Sequence, residues 1–261
     1  MENPQTSIQS SKNHLDELKI WQVLLLVLIP PALLMIAYLG LGHVAAVQNA
    51  IPALLLFFLL AVLILFPIEL YVVLRASKVE FGRYSLQSAF AIYQKLPWWQ
   101  IALFGVLTWG FAGLMTVTIM PLESSLFAPL SESLSTALPA YFDWTDFSYL
   151  ERYSRPTLIL TAVVLMIFNG FVGPVIEELF FRGYLTAKIN RYGAMAPVII
   201  TVLFSLYHFW LPFDNLFRIA AFLPAFYLAW RKKNIYIAIV CHVLSNLFST
   251  INIIMMITSV P

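Results

Sequence analysis

Apolar residues in this chain fall in long unbroken blocks rather than in one-sided stripes. Seven blocks stand out, at roughly 20–42, 51–74, 101–122, 157–181, 196–212, 215–230 and 235–258. A helix needs about 20 apolar residues to cross the hydrocarbon core of a bilayer, whereas a soluble amphipathic helix would show its apolar residues with a period near 3.6. The pattern predicts an all-α, polytopic membrane protein with about seven transmembrane helices. The sixth block is the shortest and carries Arg218 and Pro224. Proline marks several ends: Pro52, Pro156 and Pro197 suit a first helical turn and Pro121 a last one. Pro30, Pro31 and Pro67 lie inside blocks and predict kinks.

Composition sharpens this reading. Of 261 residues, 61% are hydrophobic and 11% charged, against about a quarter charged in soluble domains. Too few charges remain to solvate a globular surface, so the lipid bilayer is the expected surroundings. A net charge of +2 gives no reason to expect a nucleic-acid partner. The single cysteine, Cys241, excludes an intrachain disulfide and reads as a small buried helix residue. The polar first 19 residues hold Lys12 and Lys19. The block after them is longer than a signal-peptide core and lacks a clear small-residue cleavage site, which predicts a retained transmembrane helix.

Seven crossings divide the polar links into two sets. The N-terminus and the links at 75–100, 182–195 and 231–234 carry twelve lysines and arginines, while the other set holds three, Arg152, Arg155 and Arg218. This bias predicts a cytoplasmic N-terminus and an outer C-terminus. Within the 75–100 link, Trp98 and Trp99 of "LPWWQ" read as an interfacial belt. The 123–155 link is acidic and aromatic, with Tyr141, Phe142, Trp144, Phe147 and Tyr149, and is expected to lie on the outer membrane surface, as a lid or as a loop on the headgroups.

Against this apolar background, a few polar residues are conspicuous. An ionisable side chain near the bilayer centre costs about 2.5–3.5 kcal/mol on insertion scales and is a functional candidate by default. Blocks four to seven contain Glu177, Glu178, His208, Arg218, His242 and Asn246; block two adds Glu69. Arg218 is expected to snorkel at the outer face, and Glu69 to sit at the interface. Residues four apart share a helix face, which groups Glu178 with Arg182, Phe204 with His208, and His242 with Asn246. Asn169, Gly173 and Glu177 form a further stripe, in which Gly173 gives clearance for another helix or a substrate. At about 1.5 Å per residue, Glu177 lies roughly 16 Å, His208 roughly 18 Å, and His242 and Asn246 roughly 11 and 17 Å from the basic ends of their blocks. Similar depth on three helices predicts a single polar chamber within the membrane.

"EELFFR", "FSLYH" and "HVLSN" fit the motifs EExxxR, FxxxH and HxxxN, in that order, on three apolar blocks. Together they resemble the CPBP family, the CAAX-protease and bacteriocin-processing enzymes also called Abi, over roughly residues 157–250. The resemblance implies an intramembrane glutamic peptidase that works without a cofactor or catalytic metal on a membrane-associated or hydrophobic peptide. Glu177 would be the general base, His208 would help hold the attacking water, and His242 and Asn246 would stabilise the oxyanion. Glu178, Arg182, Phe204 and Gly173 would support the site. The chain then divides into a tail at 1–19, N-terminal helices and links at 20–150, and a CPBP-like core at 151–261. A bacterial plasma membrane is the expected location.

The chemistry stands without the family name, since peptide hydrolysis needs a base, an activated water and donors aimed at the developing oxyanion. Three other readings compete. A zinc peptidase would use Glu177, His208 and His242 as ligands, though no HExxH pair is present. A proton-coupled transporter would suit the acids and histidines, but no inverted repeat is visible. A non-catalytic scaffold would use the chamber only structurally.

Overall fold

The computed structural model describes residues 17–142 and 147–259. Lys12 with most of the N-terminal tail, and Trp144 of the outer link, lie outside them. Among the described residues the chain is helical, with no strand. Seven main helices follow the seven apolar blocks: α1 (Ile20–Gly42), α2 (Ala53–Phe81), α3 (Trp98–Ala137), α4 (Arg155–Lys188), α5 (Met195–Leu206), α6 (Asn215–Lys232) and α7 (Tyr236–Ser259). Five of them, α1 to α4 and α7, are long and apolar enough to cross a bilayer. A helix pairs most of its backbone groups within itself, as a spanning segment in lipid must. Helix α1 passes through Pro30 and Pro31 without interruption. Gly82 ends α2 in the left-handed region, φ 77°, where a side chain would be strained.

The two sets of links gather at opposite ends of the bundle. At the lysine- and arginine-rich end, Lys188 bonds Glu80, and Arg191 Nη1 bonds Glu17 at 3.0 Å. The Leu18 amide reaches the Lys188 carbonyl at 3.0 Å, and the Gln94 amide reaches that of Lys233 at 2.7 Å. At the other end, the Tyr141 hydroxyl donates to the Ile51 carbonyl at 3.3 Å and the Tyr153 hydroxyl to that of Gln48 at 2.6 Å. Helices α6 and α7 pack chiefly on α3, and α7 also lies along the middle of α4.

Two expectations are corrected. Helix α3 does not stop at residue 122 but runs on to Ala137, through Pro121 and Pro129. At about 1.5 Å per residue its 40 residues span about 60 Å, twice the hydrocarbon core. Pro121 is therefore an interior residue, and the outer link shortens to 138–154. Conversely, α5 ends at Leu206 rather than near 212. Its 12 residues cover about 18 Å, too little to cross. The irregular stretch that follows is tolerated beside lipid only where protein buries it or it lines a polar space.

The extension of α3 has a purpose visible in Glu123. This carboxylate is 3% exposed. Its Oε1 accepts the Leu216 amide at 2.8 Å and its Oε2 the Phe217 amide at 2.6 Å, covering the first turn of α6. Negative charge and acceptors at a helix N-terminus both stabilise it. Glu123→Ala strands these amides and is expected to cost about 2 kcal/mol, read as a lower melting temperature in detergent; an unchanged melting temperature would show that the cap carries no stability.

Candidate active site

The site is built around an irregular stretch of α4. Its α-helical turns give way to wider turns over Leu165–Val172 and again over Leu179–Leu185, leaving Gly173–Glu178 between them. In the wide turns each amide bonds the fifth preceding carbonyl, as from Gly173 to Phe168 and from Thr186 to Phe181. Such turns are frequent at functional sites. The next bond in the first series would run from residue 174 to Asn169, but residue 174 is proline and has no N–H. The Asn169 carbonyl is thereby freed, and the Asn246 side-chain Nδ2 takes it at 3.0 Å. The side chain of Asn169 in turn donates to Thr250 at 2.8 Å. Pro174 thus creates the docking point for Asn246.

Glu177 and Glu178 both face inward. Glu178 is fully buried, and its Oε1 lies 2.8 Å from His242 Nδ1 and 3.2 Å from Arg182 Nη1. Across the imidazole, His242 Nε2 lies 3.7 Å from Glu177 Oε2. That gap is too long for a direct hydrogen bond, and a water beside the pair is the ordinary way to join such groups. The three side chains therefore run Glu178, His242, Glu177, with the ring fixed at one nitrogen and facing the second acid with the other.

Arg182 is held by aromatic faces as much as by charge. Its guanidinium carbon lies 3.1 Å from the ring centre of Phe226 and 4.0 Å from that of Phe204. The 3.2 Å approach to Glu178 is an ion pair without an aligned hydrogen bond, since Nε, Nη1 and Nη2 are all buried without a hydrogen-bond partner among the described residues. Weak hydration and stacking make arginine the cation that tolerates such a place.

Phe204 is the hub. His208 sits edge-on to its ring with centres 4.7 Å apart, and His242 does the same at 5.5 Å. The Phe204 carbonyl lies 2.7 Å from His208 Nδ1. A carbonyl can only accept, so Nδ1 carries a proton and a neutral His208 presents Nε2 as an acceptor. His208 lies two residues past the end of α5, not on a helix as expected, and the shared ring brings it to the same cluster. Gly173 does give clearance, but a helix uses it: an added Cβ would meet the Phe66 ring at 2.9 Å and the Phe168 carbonyl at 2.7 Å. His208 and Asn246 are half-buried, while Glu177, Glu178 and His242 are buried.

Two residues are placed otherwise than expected. Arg218 does not snorkel: it is 6% exposed and its Nη1 donates to the Ser205 carbonyl at 3.3 Å, binding a positive charge to the C-terminal turn of α5. Glu69 is not interfacial: it is fully buried, and its Oε1 accepts the Tyr207 hydroxyl at 2.6 Å. The signal for Glu69 was the same as for Glu177, an acid in an apolar block; Tyr207, beside His208, carried no such mark. Among the described residues, no three His, Cys, Asp or Glu side chains are grouped to hold one metal ion.

Residues 159–248 match the family model of the Rce1-like, type II CAAX prenyl endopeptidases. The matched segment contains all three motifs, so the resemblance read from them holds at the family level across this part of the chain. No curated protein and no solved structure matches the chain. The chain is an integral, all-α membrane protein with a segment similar to the Rce1-like family.

Proposed function

We propose that this site hydrolyses a peptide bond in a membrane-associated or hydrophobic substrate, such as a CAAX tail or the leader of a precursor. The observation that carries the reading is the buried row of Glu178, His242 and Glu177, with a 2.8 Å bond on one side of the imidazole and a 3.7 Å gap on the other. In the proposed reaction Glu177 takes a proton from water, and the resulting hydroxide forms a bond to the scissile carbonyl carbon. The Glu177 proton then passes to the leaving nitrogen as the C–N bond breaks, giving an amine and a carboxylic acid, which then gives up its remaining proton. His208, through Nε2, orients the water.

The bonds refine the oxyanion roles. His242 is held at Nδ1 by Glu178 and turns Nε2 toward Glu177, where a proton on that nitrogen would be offered to the oxyanion. Asn246 spends one N–H on the Asn169 carbonyl and has the other for the oxyanion. Each such donor is worth about 10²–10³ in rate. The lysine and arginine bias, with Lys188 and Arg191 at one end of the bundle, supports a cytoplasmic N-terminus, and a bacterial plasma membrane is the proposed location.

The test is cleavage by the purified protein in detergent of hydrophobic peptides that include a farnesylated tail of cysteine, two aliphatic residues and a final residue. Run in oxygen-18 water, the reaction is expected to place the label in the new carboxylate. His208→Ala is expected to lower kcat about a hundredfold, and a metal chelator to leave it unchanged. Undiminished cleavage by His208→Ala would remove the proposed water-orienting role. Loss of cleavage on chelation, with zinc co-purifying, would replace the glutamate mechanism by a metal one.

A further inference from the structure

Resting on the peptidase reading, we propose that Glu69 is a positioning residue of the active site, contributed by a helix outside the family segment. Its carboxylate holds Tyr207, and through Tyr207 it holds His208.

The need for such a support follows from where α5 stops. Beyond Leu206 one helical bond remains, from the Tyr207 amide to the Leu203 carbonyl at 2.9 Å; after it come turn bonds, from the His208 amide to Ser205 at 3.2 Å and from the Leu211 amide to His208 at 2.9 Å. A histidine on such a stretch lacks the rigidity of a helix, and a catalytic group displaced by about 1 Å can lose about a hundredfold in rate. Side chains must supply what the backbone does not. Arg218 binds the Ser205 carbonyl. The Tyr207 ring lies edge-on to Phe181 at 5.1 Å and to Trp210 at 5.6 Å. Its hydroxyl ends on Glu69 at 2.6 Å, anchoring the far end of a fully buried side chain.

The placement of α2 fits the role. Phe66 and Glu69 are three residues apart and share a face. Phe66 covers Gly173, one turn before Glu177, while Glu69 holds the residue before His208. A single face of α2 thus packs one turn before the proposed base and holds the residue before its partner histidine. Glu69 is bound to a hydroxyl rather than to a cation, and its Oε2 is buried without a hydrogen-bond partner among the described residues. Buried polar groups are normally satisfied, and the exceptions gather where function requires them.

The test uses the full-length protein in detergent and two readouts. The first is cleavage of the peptide that the wild type processes. Glu69→Leu and Tyr207→Phe are each expected to lower kcat about ten- to a hundredfold with KM unchanged, and the double variant to be no worse than either single one. Glu69→Gln keeps an acceptor oxygen and is expected to restore most of the loss. The second readout is the imidazole nitrogen signals of His208 by nuclear magnetic resonance, which need no turnover. Those signals are expected to shift or broaden in Glu69→Leu and Tyr207→Phe and to stay near wild type in Glu69→Gln. Wild-type kcat in Glu69→Leu, additive losses in the double variant, or unmoved His208 signals would overturn the positioning role. If the wild type cleaves nothing, the peptidase reading fails, and the imidazole signals still decide whether Glu69 positions His208.

Discussion

Glu177→Ala is expected to abolish cleavage, lowering kcat by about 10²–10⁴-fold, while the protein unfolds within about 1 kcal/mol of the wild type. The two halves of this result have separate causes. Glu177 is the acid whose oxygen is not committed to a direct bond: it stands 3.7 Å from His242, whereas Glu178 holds that ring at 2.8 Å and Arg182 at 3.2 Å. Removing Glu177 deletes the proton acceptor and leaves the scaffold in place. Glu177→Gln keeps the shape and is expected to be equally inactive, because an amide cannot take the proton. Rates are read on the cleaved peptide and stability by thermal unfolding in detergent. Activity near wild type in either variant would remove Glu177 from the role of base.

Arg182→Ala is expected to act chiefly on stability, at a cost of about 3–5 kcal/mol. Both members of the Arg182–Glu178 pair are almost completely buried. Without the guanidinium, Glu178 keeps only His242 as a partner, and a slot opens between Phe204 and Phe226. Leaving one buried charge without its counterpart is far more costly than the pair itself is stabilising. Arg182→Lys keeps the charge but not the planar group that stacks on two rings, and is expected to fall between wild type and alanine. The check is the unfolding free energy in detergent. A variant as stable as wild type would mean that Glu178 does not depend on Arg182 for its counter-charge.

These effects follow from a site whose parts were unequally visible in the sequence. The seven apolar blocks and the four-residue spacings of Glu178–Arg182, Phe204–His208 and His242–Asn246 are local patterns, and they correspond to helices and to a joined cluster. What escaped was set by packing. Helix α3 continues past residue 122 through the polar stretch "ESSLFAPLSESLSTA", Pro129 included; hydropathy sees the end of a membrane block there, not the end of a helix. Arg218 sits in an apolar block like any snorkelling arginine, and only the end of α5 beside it turns its guanidinium inward. Glu69 was detectable as an acid among apolar residues, but its partner Tyr207 is 138 residues away. The wide turns of α4 belong to the same class. Pro174 marks a missing amide, yet only the fold shows that Asn246 takes up the carbonyl it leaves.

The central claim, that Glu177 serves a peptidase, is tested most directly by comparing the proteins of membranes from cells carrying the wild type and Glu177→Ala, with peptide termini mapped by mass spectrometry. The account predicts at least one membrane-associated or hydrophobic protein whose terminus is trimmed in the wild type and intact in the variant, at equal levels of the two proteins. Identical termini in both membranes, with both proteins folded and abundant, would contradict it.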